Sequence, residues 1–155
     1  MLKDRYSVRG FKDIPVEQNK LDKILQAGIL APTAKNSQLQ RFKVLVTPAD
    51  LGLVDQCTPC RYGAPAVILI CGIDNGNDWG KVGAVIATTA MMYQAWDLGI
   101  GSCWVQNFDA DKTIKVFNLP EGLDPIAFLP IGYAREDMGT SRYHGVRKSI
   151  EEYLI

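Results

Sequence analysis

This chain is short of the residues from which self-contained catalytic centres are usually built. It has one histidine, His144, and four cysteines, of which only Cys57 and Cys60 in "CTPC" are closely spaced. A four-ligand metal site on that pair would have only Cys71, Cys103 and His144 to complete it. Cys71 lies in an apolar run, where a free thiol behaves as a small hydrophobe. Four cysteines so placed do not make the disulfide framework of a small secreted protein. No Gly-x-Ser-x-Gly elbow and no paired-carboxylate signature is present. "GIGSCW" (99–104) begins like a dinucleotide fingerprint, but position 104 is Trp and the pattern follows a helix rather than a strand. Gly99 reads instead as a helix C-cap.

Net charge is also missing. Seventeen basic residues cancel seventeen acidic ones, so there is no electrostatic footprint for nucleic acid or an anionic membrane. Any anion bound is expected to be small and held locally. The longest uncharged run, Val82 to Trp96, falls short of the roughly 20 residues that span a bilayer. "MLKDRYSVRG" has no apolar segment of the signal-peptide kind, and a cytoplasmic protein is expected. Repeats, low-complexity tracts and long linkers are lacking too, so residues 1–155 are expected to form one domain, large enough to bury roughly 70% of its unfolded surface.

What is present is patterning. The segment from Pro15 reads as a helix, with Leu21, Ile24, Leu25 and Ile29 at helical spacing and Pro32 as its stop. "RFKVLVT" (41–47) alternates as a strand, residues 50–56 form a short helix, and "APAVILICGI" (64–73) reads as a strand buried on both faces. The segment 80–101 has small or apolar residues nearly all the way round. A helix without a polar face must be buried on every side. One chain of this length can hardly surround it, so the pattern predicts an obligate homodimer. "SCWVQNF" (102–108) is extended, 109–119 a helix with Asp109 as N-cap, 126–134 a strand, and 146–155 a closing helix. The expected fold is three-layer α+β, a central sheet covered by helices.

One short stretch asks for a ligand. In "RYSVRGF" (5–11), Arg5, Ser7 and Arg9 alternate with Tyr6 and Val8. If the segment is extended, the three polar residues share a face and the apolar two point the other way. His144 and the basic residues Arg142, Arg147 and Lys148 read from sequence as an ordinary solvated surface. With no nucleophile or base in evidence, the reactive atoms of an enzyme here would belong to a cofactor.

Taken with "APTAKNSQ" (31–38), "LGIGSCWV" and "LPIGYA", the opening stretch resembles the FMN-dependent nitroreductase family, in order over nearly the whole chain. The resemblance implies a nitroreductase-like homodimer with a mostly antiparallel central sheet and FMN in the subunit interface. It implies that Arg5, Ser7 and Arg9 hold the FMN phosphate and ribityl oxygens, with Arg147 as a further phosphate ligand. Pro32, Thr33, Ala34 and Asn36 would pack on the flavin from the partner chain, Gln56 would lie near the pyrimidine edge, and Trp104, Val105, Gln106 and Asn107 would run beside flavin N5. It further implies an NAD(P)H-dependent oxidoreductase, with hydride passing through N5 to a nitroaromatic, quinone or similar small acceptor.

The chain departs from the family pattern in three places. Gly145 stands where the family often has lysine, two residues before the last arginine; Leu39 and Gln40 replace Pro-Trp; and only "DNGNDWGK" links Ile73 to Val82, where larger members insert a lid. An open substrate site lined by Trp79 or Trp104 is expected. Two other readings follow from the residues: a flavin carrier, sensor or complex subunit with little reductase activity, and a thiol-based redox or metal protein centred on Cys57 and Cys60.

Overall fold

A computed structural model describes residues 2–155. Four strands, β1 (Gln40–Leu45), β2 (Ala66–Ile73), β3 (Gly101–Ser102) and β4 (Leu123–Gly132), form an antiparallel sheet in the order β1-β2-β4-β3. Helices α1 (Gln18–Ile29) and α3 (Trp79–Asp97) cover one face, and α2 (Pro48–Cys57) and α4 (Ala110–Phe117) cover the other. The fold is α+β in three layers.

The alternation of β2 produces those layers. Ile68 and Ile70, with Leu129 and Ile131 of β4, face the core under α1 and α3. Val67, Leu69 and Cys71, with Phe128, face the second core under α2 and α4. Adjacent β2 residues thus point into different cores, as the period of two requires, which is why the run carries no polar residue. Local chemistry sets the helix ends. Thr47 and Asp50 close a capping box at the start of α2, with Pro48 just inside it. The Asp109 side chain accepts from the Lys112 N–H at 2.9 Å, and Asn118 ends α4 in the left-handed conformation. A Cβ at Gly28 would lie 2.6 Å from Met91 Cε, so this glycine lets α1 lie close on α3.

Two expectations change. Residues 146–155 do not form a helix: the segment holds only a 3₁₀ turn at Ile150–Glu152, and Val146, Ile150, Tyr153, Leu154 and Ile155 are exposed. Short helices depend on packing an apolar face, and this one has no surface in the chain to pack on. The Arg147 guanidinium also binds the carbonyls of His144 and Val146, which fixes a non-helical turn. The helix expected from Pro15 begins at Gln18, because Glu17 is extended.

On α3 the burial is one-sided. Gly83, Ala84, Ala87, Thr88, Met91 and Ala95 are buried, whereas Val82 and Ile86, one turn apart, remain 51% and 36% exposed. No helix of the described residues is long and apolar enough to cross a membrane.

Candidate functional site

The opening segment is extended and bound along the open edge of the sheet. Ser7 bridges Ser102 in parallel, the Val8 N–H donates to Ser102 O at 3.0 Å, and Phe11 bridges Ala134. Beyond the strand, the Lys12 N–H donates to Tyr133 O at 2.8 Å. Val8 and Phe11 are buried in a small core with Ala64, Tyr6 and Tyr62. Glycines make room for them. A Cβ at Gly101 would lie 2.6 Å from Val8 Cγ2, and one at Gly132 would lie 3.2 Å from Phe11 Cδ1.

With Val8 turned inward, Arg5, Ser7 and Arg9 line one cavity of about 310 Å³. Residues more than 130 positions away complete it: Ser141, Tyr143, His144 and Arg147. Three guanidinium groups and a histidine line it, and no carboxylate does so among the described residues. The Arg5 Nη1 is buried without an acceptor. A buried charged donor with no partner is costly, so this atom points to an anion that belongs there. Tyr6 also lines the cavity, a departure from strict alternation; its ring packs edge-on to Trp96 at 5.3 Å and to His144 at 6.0 Å.

Arg5 and Ser7 also line a second cavity of about 310 Å³, with Thr89, Met92, Tyr93 and Trp104. The Arg5 guanidinium lies 5.8 Å from the Tyr93 ring centroid. The two cavities therefore share a wall. One end is polar and cationic; the other is lined by aromatic and apolar side chains, as a flat ring with an anionic tail would require.

Sequence reasoning missed His144, Tyr93 and Met92. His144 read as a surface residue, and its ring is instead half-buried with Nε2 3.1 Å from Lys3 O. No local pattern announces a contact spanning 141 residues.

The other expected residues are distributed as follows. Trp104 lines the second cavity. Val105 is buried, and its N–H is committed to Phe128 O at 2.9 Å. Gln106 and Asn107 follow on the surface. The Asn107 carbonyl accepts from Thr58 Oγ1 at 2.7 Å, while its amide contacts Cys60 Sγ at 3.6 Å. That thiol is held below its usual range, mainly by a hydrogen bond from Tyr62 and also by those of Asn107 and Thr58 and the charge of Arg9. Cys57, the last residue of α2, is buried in the second core. Gln56 is exposed on α2, outside both cavities.

Pro32, Thr33, Ala34 and Asn36 lie elsewhere, at the start of α3. A Cβ on Gly83 would lie 3.3 Å from Thr33 Cγ2, whereas Tyr93, beneath Arg5, is ten residues farther along α3, about 15 Å of rise. The turn is strained. Lys35, Asn36 and Gln38 have φ of 52°, 54° and 49°, the left-handed region that side chains disfavour. It is braced by Thr33 Oγ1, which accepts from the Gln38 N–H at 3.1 Å, and by Arg41, which donates to Gln38 O at 2.8 Å. Beside it, Ser37 Oγ and Gln40 Oε1 are buried without partners. Lys35 Nζ lies 5.4 Å from the ring centroid of Trp79, which places Trp79 at this end of α3 and away from the two cavities.

Comparison with known proteins gives consistent findings. The model of the Nitroreductase family matches residues 2–55 and 59–133. A nitroreductase family protein of Clostridium difficile 630 superposes with a TM-score of 0.89 at 32% identity, covering 99% of this chain and 94% of that one. A structure described as an FMN-dependent nitroreductase, from Clostridium difficile R20291, superposes with a TM-score of 0.82 at 30% identity, covering 95% of this chain and 96% of that one. A curated protein of Methanothermobacter thermautotrophicus, provisionally named as an NADH dehydrogenase/NAD(P)H nitroreductase, is 26% identical over 151 residues, which is 90% of this chain and 78% of that one.

Proposed function

Since this chain belongs to the nitroreductase family, we propose that it is a homodimeric FMN-dependent NAD(P)H oxidoreductase acting on small electron-poor acceptors such as nitroaromatics or quinones. The observation that carries the reading is the buried, acceptor-less Arg5 Nη1 in a cavity shared with Arg9 and Arg147. A phosphate monoester carries nearly two negative charges and accepts several charge-assisted bonds at once. The adjoining cavity, with Trp104, Tyr93 and Met92, suits the apolar part of the same molecule.

When bound, FMN supplies the redox chemistry, taking two electrons from a reduced nicotinamide and delivering them to the acceptor. The chain's own residues bind and orient. Arg5, Arg9 and Arg147 would hold the anionic tail, Ser7 would offer a hydroxyl to the ribityl oxygens, and Trp104 would border the apolar part. The exposed residues Gln106 and Asn107 would offer N–H donors to charge developing at the reactive edge.

The turn carrying Pro32, Thr33, Ala34 and Asn36 is too far along α3 to reach the cavities of its own chain, so its role requires a second subunit. The exposed Val82 and Ile86 on α3 support that reading, as do the unpartnered Ser37 Oγ and Gln40 Oε1 beside the turn.

The deciding experiment is the visible spectrum of the protein saturated with FMN, desalted, and treated without oxygen with NADH and then NADPH. Retained yellow colour that bleaches promptly is expected. Colour that persists under both nucleotides would make the protein a flavin carrier or sensor, and loss of flavin on desalting would overturn the FMN reading.

A further inference from the structure

Resting on the FMN reading above, we infer that His144 is a fourth phosphate ligand, one that serves only when its ring carries two protons, so that FMN binding takes up a proton here. His144 lines the cavity alongside Arg5, Arg9 and Arg147.

The tautomer follows from the neighbours. Nε2 lies 3.1 Å from the Lys3 carbonyl oxygen, and a carbonyl only accepts, so Nε2 carries a hydrogen and is committed. In the neutral ring Nδ1 is then a bare lone pair, which repels a phosphate oxygen. Adding a proton turns Nδ1 into a charged donor. The ring is held in place by the edge of Tyr6 at 6.0 Å and by its bond to Lys3.

The charged and titratable groups facing it are few and can be named. The opening segment contributes Lys3, Asp4, Arg5, Tyr6 and Arg9, and the Asp4 carboxylate interacts electrostatically with the ring. The turn that carries His144 contributes Tyr143 and Arg147, with Arg142 turned onto the Tyr143 ring at 4.7 Å. Arginines stay charged throughout the accessible range, so they cannot exchange protons with solvent when a phosphate arrives. His144 can, and a bound phosphate supplies the negative charge that favours its second proton.

The test is calorimetric titration of the protein with FMN near pH 7 in two buffers of different ionisation heat, with riboflavin as the ligand lacking phosphate. The unsubstituted protein should take up protons with FMN and none with riboflavin. His144→Gln, which cannot ionise, should lose that uptake while remaining folded by circular dichroism. His144→Lys, a permanent cation, should also lose the uptake and bind FMN about tenfold more tightly than the unsubstituted protein at pH 8. Equal uptake with and without His144, or no gain from the lysine, overturns the inference while leaving FMN binding intact. Absence of FMN binding by the unsubstituted protein would overturn the FMN reading itself, and this inference with it.

Discussion

The two ends of α3 have opposite surroundings. Near its C-terminal end, Tyr93 and Met92 lie under a concave cavity whose walls all come from one chain: the opening strand, the Trp104 segment and the 141–147 turn. Near its N-terminal end, Thr33 and the Lys35–Trp79 pair belong to an exposed, strained turn flanked by buried oxygens without a partner among the described residues. The first end holds one unpaired donor, Arg5 Nη1, and the second two unpaired oxygens, Ser37 Oγ and Gln40 Oε1, and exposed apolar side chains. A receptacle can be built by one chain, whereas such a turn gains its purpose only against another surface. The difference teaches where the second subunit of the proposed dimer would dock: at Val82 and Ile86, beside the turn.

The largest effect expected on this comparison concerns backbone clearance. A Cβ at Gly80 would lie 2.1 Å from the Ile73 carbonyl oxygen, which cannot swing away. Gly80→Ala should therefore destabilise the protein by about 3 kcal/mol in equilibrium denaturation. Gly101→Ala meets the Val8 side chain, so it should cost only about 1 kcal/mol and chiefly loosen the opening strand and its FMN. Equal losses at both positions would erase the distinction between a rigid end and a docked strap.

Next comes the charged cavity. Arg5→Ala should weaken FMN binding by about 3 kcal/mol, and Arg9→Ala by at least about 1.5 kcal/mol, both read from equilibrium dissociation constants. Riboflavin, without the phosphate, should distinguish neither variant from the parent. An unchanged FMN constant in either would remove that arginine from the site.

A smaller effect is expected from Ile86→Asp. The side chain is over a third exposed, so the fold should survive, but a carboxylate in the proposed interface should shift the dimer equilibrium by about 2 kcal/mol. Sedimentation would detect the monomer, and flavin retention should fall with it. A fully dimeric, FMN-retaining variant would move the interface elsewhere.

The smallest effect is reserved for the turn. Asn36 has φ of 54°, where glycine is free of strain, so Asn36→Gly should alter stability by no more than about 0.5 kcal/mol. Its consequence should appear as a few-fold weaker FMN affinity in the assembled protein. A large stability change would make the turn a structural element of its own chain rather than a contact surface.

Much of this was legible in order along the chain. The continuous apolar run of β2 announced two cores, Asp109 announced a helix start, and the alternation of Arg5, Ser7 and Arg9 announced an anion, whereas the Thr47 cap was hidden inside what read as the end of a strand. The absence of a closing helix was illegible because "VRKSIEEYLI" has helical spacing but no surface in the described chain to pack on. His144 was illegible because its role depends on Lys3 and Tyr6, at the other end of the chain. The strain at Lys35, Asn36 and Gln38 was hidden for another reason: none is glycine, so no residue type marked the left-handed backbone.

The sequence by itself determined the layers and the sign of the ligand's charge, because both are written in a periodicity of two, and the excess of apolar surface on α3, because that segment lacks a polar face altogether. Tertiary structure alone decided that His144 joins Arg5, that Gln56 stays outside, and that Thr33 and Tyr93 are held apart by the rise of one helix. Those outcomes depend on close approach, such as Val8 against Gly101, and close approach sums contacts between distant segments that no local pattern records.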